Sequence, residues 1–185
     1  MKNNNLKVMA KCSLMISISI VLSLFPIFKM PFGGSVTFAS MAPIIMISFF
    51  WGIRWGCLSG FIWGLIQIIE GFHFPPAANI TSLILVILLD YFLPFIFLGM
   101  ANLFAFKIKN KRLHVILGSL ISLILRLICS ILSGIFIWKD YAPQNISVVK
   151  YSIIYNCTYM IPEIILTIIA CLIINKYFNE KSDII

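Results

Sequence analysis

Apolar runs close to the length of a bilayer crossing follow one another along this chain with only short polar breaks between them. About 20 consecutive apolar residues cross the hydrocarbon layer as a helix. Hydrocarbon offers the backbone no partners, so such runs must satisfy their own N–H and C=O groups, and in an uninterrupted apolar run the α-helix does this. Composition agrees: 61% of the 185 residues are hydrophobic and 11% are charged, against roughly 45–50% and 25% in soluble domains. The expectation is an all-α membrane protein, residues 1–185 forming one integral membrane domain in a cell membrane. A separate soluble domain is excluded for want of sequence to build it.

Six spans fit, at about 8–27, 37–53, 55–71, 81–106, 113–138 and 148–177. Spans two and three are joined so tightly at Gly52–Trp55 that they form a helical hairpin. The net charge of +8 invites a nucleic-acid reading, but the basic residues cluster between spans. With both termini in the cytoplasm, the inner face receives Lys2, Lys7, Lys11, Arg54, Lys107, Lys109, Lys111, Arg112, Lys176 and Lys181. The outer face receives only Lys29, Lys139 and Lys150. Lys and Arg concentrate on the cytoplasmic side of membrane proteins, which gives this topology and removes nucleic acid as a partner. The lysines before MISISIVLSLF also suit a signal peptide, but no small-x-small cleavage site follows closely, so the run reads as a first membrane helix.

The outer connections KMPFGGSVTF, GFHFPPAAN and KDYAPQN hold most of the loop Pro, Gly and aromatic residues, whereas the inner ones are plain and basic. A binding site open to the outside is therefore expected. Polar groups within spans point the same way, because ionisable side chains in hydrocarbon are costly. Arg126 and Glu163 fall at one depth in spans five and six and are expected to pair, a structural ion pair fixing those spans. Asp90 lies in span four, either as a third member of that cluster or facing a cavity as the counter-charge of a cationic ligand. Trp138 closes span five as an interface anchor or as a platform for a flat or cationic ligand. Tyr151 and Asn156 lie about 140° apart on an ideal helix, so both line one site only if the site wraps the helix. In span one, Ser13 and Ser17 form a small-xxx-small pair that allows close helix approach.

No GxxxxGK[ST] loop is present, so the chain cannot itself couple ATP. HExxH, GxSxG and paired Cys/His sets are also missing, which argues against catalysis, metal ligands and a cofactor. The five cysteines stand singly in apolar runs and read as small buried hydrophobes. N-x-[ST] matches at Asn79, Asn145 and Asn156 read as chance, the last being inside a span.

Four blocks carry a resemblance: MPFGGSVTFASMAPI (Met30–Ile44), LLDY (Leu88–Tyr91), the Arg126–Gly134 block followed by FIWKDYAP, and YSIIYNCTYMIPE (Tyr151–Glu163). Together they resemble the thiamine-specific membrane S-components (ThiT/YuaJ) of energy-coupling factor (ECF) vitamin transporters, in order and spacing, over nearly the whole chain. The resemblance implies an S-component-like bundle that captures thiamine outside. It implies as partners an ECF transmembrane coupling subunit and two ATPase subunits. It places Asp90 near the cationic thiazolium with Tyr91 beside it, Trp138 at a stacking position, and Tyr151 and Asn156 against the ligand. The Met30–Val36 loop, with Met30, Phe32, Gly33, Gly34 and Ser35, becomes a lid, and the Ser13/Ser17 face a coupling interface. Ser130 stands where the family usually has a ligand-contacting histidine, and Leu83–Val86 read LILV where it often has HPVQ. A thiamine precursor or another small heterocycle is thus the alternative ligand. A proton-coupled transporter using Asp90, Arg126 and Glu163 is the alternative of another class.

Overall fold

The computed structural model describes residues 2–77 and 79–182; the side chains of Lys2 and Lys181, both in the charge count above, lie outside what it describes. The chain forms α1 (Lys2–Leu24), a hairpin of β1 (Phe28–Lys29) and β2 (Ser35–Val36), α2 (Ala42–Trp51) and α3 (Ile53–Glu70). There follow α4 (Ile80–Val86), a π-helical turn (Ile87–Phe92), α5 (Leu93–Gly99), α6 (Ala101–Phe104), α7 (Lys111–Phe136), a 3-10 turn (Lys139–Tyr141) and α8 (Val148–Ser182).

Among the described residues, four helical stretches are long and apolar enough to cross a bilayer: Asn4–Leu24, Ile80–Gly99, Lys111–Phe136 and Val148–Phe178. They turn Leu14, Ile18, Ile84, Ile124, Ile161 and Ile165 outward, as a lipid-facing surface requires. The expected second span, 37–53, is shorter in the structure. Its helix begins only at Ala42, because Thr37–Met41 belong to the turn leaving the hairpin, and its 10 residues extend about 15 Å. This short helix is the most enclosed: Ile44, Ile45, Met46 and Ile47 are all 0% exposed. Gly52, at φ +88°, joins α2 to α3 in a single residue, a conformation that costs glycine nothing.

The expected fourth span is broken twice. Pro94 has no N–H to give the carbonyl of Asp90, so the helix widens there and Leu93 N–H reaches back to Leu88 O. The helix ends at Gly99, and a short α6 precedes the basic loop. The widened turn and α5 lie against α3 through Gly56, Gly60 and Gly64. A Cβ on these three would strike the carbonyls of Gly99, Phe95 and Tyr91 respectively. Glycines at intervals of four make one stripe on which a second backbone can lie directly.

Two asparagines start helices by accepting backbone N–H bonds: Asn79 Oδ1 from Ser82 (2.7 Å), and Asn110 Oδ1 from Arg112 (3.0 Å) and Leu113 (3.2 Å). Asn79 therefore has a structural role as a cap.

Candidate functional site

The KMPFGG segment folds as a two-stranded hairpin, with Phe28 opposite Val36 and Lys29 opposite Ser35. Its tip is closed by Met30 N–H donating to Gly34 O at 2.9 Å. Gly33 and Gly34 have φ of +95° and +87°, and a Cβ on Gly34 would come within 2.6 Å of the Tyr159 ring. The hairpin therefore lies flat on α8 and roofs a cavity of about 240 Å³ enclosed by α3, the π-helical turn, α7, the 3-10 turn and α8.

Asp90, Tyr91, Ser130, Trp138, Tyr151 and Asn156 all line this one cavity, and Phe32, Gly33, Gly34 and Ser35 line its roof. Met30 instead packs on the central core. The carboxylate of Asp90 accepts from Ser133 Oγ at 2.7 Å and from Trp138 Nε1 at 3.1 Å. Its orientation is thus set from α7 and from the residue that ends α7. Tyr91 turns its hydroxyl to the segment after α3, donating to Gly71 O (3.0 Å) and accepting from His73 N–H (3.1 Å). It pins the α3–α4 connection beside the cavity.

On α8, two adjacent stripes face the cavity. Ser152 and Asn156 meet α7: Asn156 Nδ2 donates to Ser152 O at 2.9 Å and to Ser130 O at 3.3 Å, while its Oδ1 accepts from Tyr159 Oη at 2.8 Å. Tyr151, Tyr155 and Tyr159 form the other stripe, under the hairpin. The cavity reaches both because Gly134 lets α8 lie close to α7, where a Cβ would strike Ser152 Oγ. The wide angle between Tyr151 and Asn156 is accommodated in this way, with α8 continuous from Val148 to Ser182.

The expected Arg126–Glu163 ion pair is not formed among the described residues. Glu163 is 0% exposed and accepts from Thr37 N–H at 2.5 Å and Thr37 Oγ1 at 2.6 Å. One residue at the hairpin's root supplies two donors to that carboxylate, one at each oxygen. Arg126 lies over the Phe95 ring at 4.7 Å and directs Nη1 at Met41 Sδ, 3.1 Å away. It lines the main cavity and also a smaller polar one of about 80 Å³ shared with Ser23, Gln67 and Glu70. Ser13 and Ser17 lie on the exposed face of α1, each hydroxyl bonded back to the preceding turn.

Tyr141 and Tyr155, which line the cavity, and Ser133, which holds Asp90, add to the residues expected from the sequence. Trp138, Tyr141 and Phe32 form a column of nearly parallel rings, with centroids 5.8 and 4.5 Å apart. Tyr155 Oη donates to Gly33 O and accepts from Phe32 N–H, both at 2.9 Å. Tyr155 was detectable as the i+4 neighbour of Tyr151, and Ser133 as the serine of the Arg126–Gly134 block. The tyrosine of KDYAP carried no local signal, because its stacking depends on a hairpin more than 100 residues earlier. Chemically, the cavity offers one oriented carboxylate, several aromatic rings, an amide and hydroxyls. That set suits a small flat cation: a carboxylate and π-faces attract positive charge, and amide and hydroxyl groups match ring nitrogens and amines.

The family described as "Thiamine transporter protein (Thia_YuaJ)" matches residues 9–182. The Bacillus subtilis (strain 168) protein called thiamine transporter ThiT is 36% identical over 155 residues, covering 78% of this chain and 77% of that one. A solved structure of ThiT from Listeria monocytogenes shares the fold, with TM-score 0.74 at 20% identity over 96% of this chain and 97% of the other. The chain belongs to the thiamine transporter protein family.

Proposed function

We propose that this protein is the substrate-binding membrane subunit of an ECF-type importer and captures thiamine from outside in the cavity beneath the hairpin. The observation that carries the reading is Asp90, held by Ser133 and Trp138 in a small cavity lined with aromatic rings. A permanent cation gains from a carboxylate that is already oriented, because little ordering remains to be done on binding. The family and the Bacillus relative are both described as thiamine transporters, which supports the same ligand.

In this reading the protein is a multi-pass plasma-membrane protein with six spans, the α2–α3 hairpin completing the set, and both termini cytoplasmic. A transmembrane coupling subunit and two ATPase subunits drive release inside, and the Ser13/Ser17 face of α1 meets the coupling subunit. Asp90, Tyr91, Trp138, Tyr151, Asn156 and Ser130 contact the ligand, and residues 30–36 form the lid. A proton relay through Asp90, Arg126 and Glu163 is disfavoured, because Glu163 is committed to Thr37 and Asp90 to Ser133 and Trp138.

Competition on the purified protein tests the substrate. Radiolabelled thiamine is expected to be retained and displaced by unlabelled thiamine, with riboflavin and biotin ineffective. Displacement by hydroxymethylpyrimidine at lower concentration than thiamine would reassign the site to a precursor.

A further inference from the structure

Tyr155, Tyr159 and Glu163 recur at intervals of four along α8, so they lie on one face. Each meets a successive piece of the hairpin. Tyr155 Oη holds Phe32 and Gly33 at the tip, at 2.9 Å each. The Tyr159 ring lies under Gly34. Glu163 takes both donors of Thr37 at the root.

The two ends of this rail differ in kind. The tip is held by a neutral hydroxyl and by stacking of Phe32 on Tyr141, and Phe32 is 51% exposed. The root is wholly buried: Thr37 is 5%, Ser40 4% and Glu163 0% exposed. Thr37 Oγ1 also accepts from Ser40 N–H at 3.1 Å. Two residues on, Ala39 has φ +57°, a conformation costly for a residue with a Cβ, before Ala42 N–H returns to Ala39 O at 3.0 Å. Strained backbone of this kind persists where its surroundings over-determine it, and Glu163 provides that constraint from another helix.

We infer that Glu163 is a positioning residue for ligand capture: through Thr37 it fixes the root about which the hairpin swings, while the Tyr155 contact at the tip releases and re-forms. The inference rests on the proposal that the hairpin covers a ligand, but the clamp itself is measurable without one. Charged hydrogen bonds are roughly twice as strong as neutral ones, so the tip opens before the root.

Backbone hydrogen exchange on the ligand-free, detergent-solubilised protein, together with the rate of thiamine release, tests this. In wild type, the amides of Thr37 and Ser40 are expected to exchange far more slowly than that of Phe32. Glu163→Ala is expected to remove the root protection and to speed release roughly tenfold, the equivalent of one charge-assisted hydrogen bond. Glu163→Gln is expected to fall between wild type and Glu163→Ala in both, because it keeps both contacts, its amide oxygen accepting from Thr37 N–H and its NH2 donating to Thr37 Oγ1, but loses the charge that strengthens them. If Glu163→Ala does not fold, Thr37→Val removes the Oγ1 bond to Glu163 and also the acceptor of Ser40 N–H, so only the Thr37 amide is read for protection; it and the release rate are expected to shift in the same direction by a smaller factor. Root protection unchanged in Glu163→Ala, or in Thr37→Val where that is the variant in hand, overturns the inference. So does release accelerated equally by Ala and Gln. A wild type that binds no thiamine while Glu163→Ala still loses root protection overturns the assigned ligand and leaves the clamp standing.

Discussion

Asp90 receives two hydrogen bonds from groups that cannot both be replaced without cost, Ser133 Oγ and Trp138 Nε1. Asp90→Asn keeps the shape and removes the charge, and is expected to weaken thiamine binding by about 10- to 100-fold, the range for a charged hydrogen-bonding partner. Equilibrium dialysis checks this, and unchanged affinity would remove Asp90 from the ligand. Trp138 has two roles to separate, ring and N–H. Trp138→Phe keeps an aromatic face and loses the bond to Asp90, whereas Trp138→Ala loses both. Affinity is expected to fall in the order wild type, Phe, Ala, with protein yield unchanged. Equal loss in Phe and Ala would mean that Trp138 acts through the N–H alone. Asp90 and Trp138 were legible in the sequence because each is chemically out of place, an acid in an apolar run and an indole at its end. Their direct bond was not, since residues 48 apart meet only once α7 lies beside the π-helical turn.

At the scale of elements, the π-helical turn and the hairpin decide where the site's groups point. Pro94→Ala restores an N–H for Asp90 O and allows the turn to close to α geometry, which rotates Asp90 by about 100° per residue of register. Thermal stability is expected to rise or hold, because proline in a helix interior costs about 3 kcal/mol, while thiamine affinity falls at least tenfold. A melting curve and a binding curve on one preparation check this, and affinity retained with Pro94→Ala would show that the wide turn does not position Asp90. The apolar spans and their tight Gly52 hairpin could be read from sequence because hydrophobicity and glycine act locally. The Gly56, Gly60, Gly64 stripe was present in the letters as G-x3-G-x3-G, yet its partner, the backbone from Tyr91 to Gly99, was not. Arg126 and Glu163 share a depth without pairing, because depth along two helices says nothing about which side chains a folded-in hairpin intercepts; Thr37 reaches Glu163 first.

At the scale of the whole molecule, the proposed function puts binding and coupling on different surfaces. The cavity opens beneath the hairpin, whereas Ser13 and Ser17 lie on the outer face of α1, away from the lining residues. Ser17→Leu is therefore expected to leave thiamine binding intact and to abolish ATP-driven uptake in cells that supply the partner subunits. Loss of binding as well would place α1 in the site. The central claim, that the cavity holding Asp90 and Trp138 takes thiamine, is tested most directly by titrating the purified protein with thiamine while reading tryptophan fluorescence. Trp138 lines the cavity, so saturable one-site quenching at nanomolar thiamine is expected, with the response weakened in Asp90→Asn. No saturable response to thiamine, with riboflavin or biotin quenching in its place, would contradict it.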